Sequence, residues 1–174
     1  MKKQILYPKF IPRLFSVTID LFLITIILPF IMSIFAKIIY GYAFKDYILI
    51  VQSEAQGPIN VAQIFYSPVF FDYISTAHKT GIYFICIVVL NLINFLLMGT
   101  YFVSFWKYFG ATPGKLVMGM RIVDADTLDK PTTYQFIKRF CGYLTAIFGM
   151  WSILFTTRGQ ALHDKMSSTV VIKF

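Results

Sequence analysis

Arg13, Ser16 and Asp20 stand at i, i+3 and i+7, so a helix carries them on one face. Asp20 is the one charge in a long apolar run, roughly 10 Å along the axis from Arg13. A carboxylate in that setting either holds a proton or cation, or ties helices together through hydrogen bonds. Arg13 is too far from Asp20 for contact along a straight helix. It needs another partner, a lipid phosphate or a carboxylate from another segment. Asn91 and Asn94 lie three apart in a second apolar run and share a face with Met98 and Tyr101. Such amides bond across helices at about 1–2 kcal/mol, or line a polar path with Asp20.

Two further motifs lie outside the apolar runs. Gly110-Ala111-Thr112-Pro113-Gly114-Lys115 superficially resembles a phosphate loop. That loop needs four residues between its glycines and Ser or Thr after the Lys. Here Leu116 follows and only Ala111-Thr112-Pro113 separates the glycines, which excludes nucleotide binding and leaves a tight interfacial turn. His163-Asp164 would need more His and Asp ligands to hold a metal, and His78 is the only other histidine. No nucleophile, base and orienting group come together. The expectation is no enzyme, no metal and no cofactor.

The elements that position these residues follow from composition. The 174 residues are 57% hydrophobic and 14% charged, against about 45–50% and about 25% in soluble domains. Disorder and a soluble globule are both excluded, and a single all-α integral membrane domain is expected. The net charge of +8 fits anionic lipid, and no motif for nucleic acid accompanies it. Cys86 and Cys141 lack CxxC spacing and read as packed free thiols.

Three apolar stretches cover about 14–36, 80–106 and 140–157. The first two exceed the roughly 20 residues a spanning helix needs; the third is short and interrupted by Gly142 and Gly149. The first is too long for a signal peptide and lacks a cleavage motif, so it reads as a retained anchor, kinked at Pro29. Asp20 does not prevent insertion. It costs about 2.5–3.5 kcal/mol, against about −6 kcal/mol from the Leu, Ile, Phe and Val around it.

Basic residues orient the chain. The N-terminal arm and the loop 107–139 are rich in Lys and Arg and read as cytoplasmic. The loop 41–79 is poor in them and reads as external, Tyr- and Phe-rich and lying against the interface. The tail 158–174 is again basic. Either the third segment crosses and the tail is external, or it re-enters and returns the tail to the cytoplasm. Leu116–Val123 and Ser168–Ile172 both read as strands, and strands need partners. This favours a cytoplasmic tail and a small β element.

Taken together these residues resemble the RDD family of small bacterial membrane proteins. The likeness rests on Pro12-Arg13 with Asp20, on Gly110 to Lys115 with Gly119 and Arg121-Ile122-Val123, and on Gln160-x-Leu162-His163-Asp164 with Thr169-Val170-Val171. The resemblance implies that Arg13, Asp20 and Asp164 are the eponymous residues and that the protein is bacterial and sits in the inner membrane. Ser167-Ser168 departs from an expected Ala-Gly, and the loop of about 40 residues is long for the family. Transport, including cation/proton antiport, is suggested for such proteins. The expected function is cation or proton transport at Asp20. Two or three helices cannot enclose a path, so this requires a homo-oligomer. The alternative is a scaffold or assembly module for other membrane proteins. On either reading an Arg13–Asp164 link is expected.

Overall fold

The structure is a computed structural model that describes residues 6–55, 64–65, 67–143, 152–153, 156 and 159–173. The described elements are α1 (Phe10–Ala43), α2 (Lys45–Glu54), α3 (Pro68–Thr76), α4 (Thr80–Phe109), α5 (Pro113–Val117), β1 (Met120–Asp124), α6 (Thr133–Gly142), α7 (Leu162–Met166) and β2 (Thr169–Lys173). Helices α1 and α4 have 34 and 30 residues. At 1.5 Å per residue they are about 51 and 45 Å long, more than the roughly 30 Å of a bilayer core. Both are long and apolar enough to cross a membrane. Their apolar side chains point outward: Phe22, Phe30 and Phe84 are 65%, 72% and 65% exposed. Burial in a protein core therefore does not account for their composition. Pro29 lies inside α1, which continues through it.

The chain forms two compact units, 26–97 and 1–25 with 98–174. Unit 26–97 contains α2 and α3, so two described stretches of the segment expected to be a loop are helical, with their own aromatic core. Phe70 sits at its centre, edge-on to Phe44 and Phe65 at 5.0 Å each. Tyr47, Ile74 and Cys86 complete this core. Alternating aromatic and polar residues here serve two helices rather than one interfacial strip. Helix α3 starts at Ser67, whose hydroxyl accepts from the Phe70 N–H, with Pro68 following.

The other unit is built on an antiparallel ladder. β1 pairs with β2 in the register Met120↔Lys173 to Asp124↔Thr169. A bridge from Leu6 to Lys173 brings in the N-terminal arm. The first strand is shorter than the sequence implies. Leu116 and Val117 belong to α5, where Pro113 sets the first helical turn, and Gly119 at φ 65° separates helix from strand. Trp106, Met120, Ile122, Phe136 and Val171 form this unit's core. Cys141, expected to be packed, is exposed on α6. Of the third apolar stretch, Phe140 to Gly142 finish α6; most of the remainder lies outside the described residues.

Candidate functional site: a buried charge cluster

Asp164 is fully buried at the start of α7. The Arg13 Nη1 donates to its Oδ2 at 2.6 Å, which is the link expected from the sequence. The Ala161 N–H donates to the same oxygen at 3.0 Å. Arg139 brings its Nη2 to 2.5 Å from Oδ1. That approach is an ion pair lying off the hydrogen-bond direction. The His163 Nε2 lies 3.3 Å from Oδ1. Burial alone would raise the Asp164 pKa, but Arg139, His163 and Arg13 outweigh it and hold the carboxyl well below the usual range. Burial lowers the His163 pKa, more than Asp164 raises it, so the ring is held neutral. Tyr143 packs edge-on to that ring at 4.6 Å.

Asp20 makes a second node. The Thr112 hydroxyl donates to Oδ2 at 2.6 Å and the Gly114 N–H to Oδ1 at 2.7 Å. The turn from 110 to 115 is thus pinned to α1. Gly114 is required by proximity: a Cβ there would lie 2.1 Å from the Ser16 carbonyl oxygen. Ser16 is buried on the same helix face, its hydroxyl donating to the Arg13 carbonyl. Lys115 is also buried, with its Nζ 3.5 Å from the Thr112 hydroxyl.

Arg139 was not among the residues singled out from the sequence. It sits between Phe136 and Phe140 on the buried face of α6, all three buried. An arginine on an apolar stripe was the available signal. Its Nη1 also donates to the Thr169 hydroxyl at 2.6 Å, and its guanidinium lies 5.4 Å from the Trp106 ring centre. Asn91 and Asn94 fall in the unit 26–97. The Asn91 amide donates back to the Ile87 carbonyl of its own helix at 2.8 Å. Arg121 is exposed on β1. Among the described residues no three His, Cys, Asp or Glu side chains gather as a metal site would require.

A cavity of about 400 Å³ adjoins the cluster, bounded by Arg13, Asp20, Lys115, Arg139 and His163 and by apolar side chains of α1 and α4. The architecture is therefore a pair of span-capable helices whose ends are clamped to a short β-ladder by one buried Arg–Asp–Arg cluster and one Asp-pinned turn. This chain belongs to the RDD family, whose model matches residues 7–168. It is also 38% identical over 174 residues to the uncharacterized protein RP437 of Rickettsia prowazekii (strain Madrid E), covering 99% of each chain. No solved structure matches it.

Proposed function

We propose that this protein is a multi-pass bacterial inner-membrane module whose charged residues build a rigid cytoplasmic platform for assembly with other membrane proteins. The observation that carries this reading is that both oxygens of Asp20 and Oδ2 of Asp164 accept hydrogen bonds from the same chain, while Asp164 Oδ1 is ion-paired with Arg139. A carboxylate that carries protons or cations has to exchange partners, and these are committed to holding elements together.

The side of each segment follows from one constraint. The N-terminal arm, the segment 107–139 and the tail are tied by the Leu6–Lys173 bridge, the β1–β2 ladder and the Arg13–Asp164 pair. If α1 and α4 are two crossings, all three lie on one side. On this reading the positive-inside rule makes that side cytoplasmic.

Transport through a homo-oligomer is the second reading, favoured by the cavity beside Asp20. Proton-coupled sodium and potassium flux in vesicles separates the two. The platform reading expects no flux above protein-free vesicles, and Asp20→Asn protein that inserts normally. Flux that vanishes in Asp20→Asn would overturn it in favour of transport. That the protein is not an enzyme is part of the same proposal and rests on the sequence reading alone.

A further inference from the structure

The cavity beside the charge cluster is lined by both charged and apolar side chains. Arg13 and Arg139 are 5% and 0% exposed, yet among the described residues Arg13 Nε and Nη2 and Arg139 Nε have no hydrogen-bond partner. Buried N–H groups without acceptors cost about 1–3 kcal/mol each. Among the described residues the Lys115 ammonium makes one hydrogen bond, a long one to Thr112. Three cations therefore meet one cavity-lining carboxylate, Asp20, and Asp164 behind them still leaves one positive charge in excess. A cation is the wrong guest for such a wall. Val17 and Leu21, one and two turns beyond Arg13 on α1, line the same cavity, as do Met98 and Phe102 of α4. Its volume, about 400 Å³, is that of a small-molecule site.

We propose that this cavity binds an amphiphilic monoanion, a carboxylate or phosphate ester on an acyl chain. The anionic head accepts from the unpartnered guanidinium N–H groups and from Lys115. The chain lies along Val17, Leu21, Met98 and Phe102. Such a ligand comes either as a free fatty acid or as an anionic phospholipid of the surrounding bilayer. The site does not depend on the platform reading, and it competes with the transport reading for the same cavity.

The test is binding of radiolabelled tetradecanoic acid to the full chain in a nonionic detergent, competed by its methyl ester and by short-chain phosphatidylglycerol. The acid should bind saturably and at least tenfold better than the ester. Lys115→Gln should reduce that preference about tenfold. Val17→Phe adds bulk to the apolar lining without changing a charge and should abolish binding in protein that still melts cooperatively. Displacement by phosphatidylglycerol identifies the bilayer lipid as the ligand, and failure to displace identifies the free acid. Equal binding of acid and ester, or no saturable binding of either anion, overturns the proposal.

Discussion

At the scale of single residues, one carboxylate serves three elements. Asp164→Asn would leave Arg13 and Arg139 buried with their charge uncompensated, and breaking one side of a buried pair costs about 3–5 kcal/mol. Thermal unfolding in detergent should show a large drop or no folded protein. The pH dependence has two stages of the same sign. His163 is held neutral, so its pKa in the folded chain lies below the unfolded value. The stability this contributes is complete above about pH 6.5 and declines as pH falls through the folded value. Asp164 is depressed well below the ordinary carboxylate range, so its contribution persists to about pH 4 and is lost only in stronger acid. Melting temperature should therefore begin to fall below about pH 6.5, and His163→Gln should remove that first decline while leaving the one below pH 4. Asp124 adds to the acid limb. Bonds from the Thr127 N–H, the Gln135 amide and the Asp126 N–H lower its pKa to about 2.

Between elements, backbone proximity dominates. The α1 contact with the turn 110–115 leaves no room at Gly114, where a Cβ would meet the Ser16 carbonyl at 2.1 Å. Gly114→Ala should cost about 3 kcal/mol, the upper end of overpacking penalties, read by denaturation or by loss of folded yield. Ser168 shows the opposite case. It joins α7 to β2 at φ 50°, a left-handed conformation that costs a non-glycine residue roughly 1–2 kcal/mol. This is also the position where the family resemblance implies glycine. Ser168→Gly should stabilise the ladder by up to about 1 kcal/mol after the added chain entropy of glycine, measurable as a higher melting temperature. At α6, Thr132 and Gln135 form a reciprocal capping box. It fixes the helix that carries Arg139, and Thr132→Ala should cost about 1 kcal/mol.

For the whole molecule, the Arg13–Asp164 pair joins residues 151 positions apart and the ladder joins Met120–Asp124 to Thr169–Lys173, which constrains topology more than stability. Reporter fusions at the C-terminus and within the exposed segment 126–130 should report the same side of the membrane. Opposite sides would be incompatible with the β1–β2 register. Asp20→Asn keeps an acceptor for the Gly114 N–H and a donor for the Thr112 oxygen, so it should insert and fold with a loss of about 1–2 kcal/mol. Asp20→Ala strands both groups and should cost more. The span-capable helices present apolar side chains outward along their length, the exposure that helices able to cross a membrane would turn to lipid.

Composition and spacing alone determined the class of protein: long uncharged apolar runs have no stable alternative to helices in an apolar solvent. They also made Arg13, Asp20 and Asp164 stand out, because a charge in or beside such a run needs a reason. Spacing could pair Arg13 with Asp164 only by supposing that two strands met, since a contact across 151 positions depends on the path between them. It could not show that Asp20 would be consumed by Thr112 and Gly114. That depends on a backbone approach only a glycine allows. Arg139 passed as one more loop cation, because its importance comes from the face of α6 it shares with Phe136 and Phe140. The helical character of α2 and α3 was hidden for a related reason. Their aromatic residues read as an interfacial strip until Phe44, Phe65 and Phe70 close on one another, and short helices gain most of their stability from such packing rather than from their own propensity.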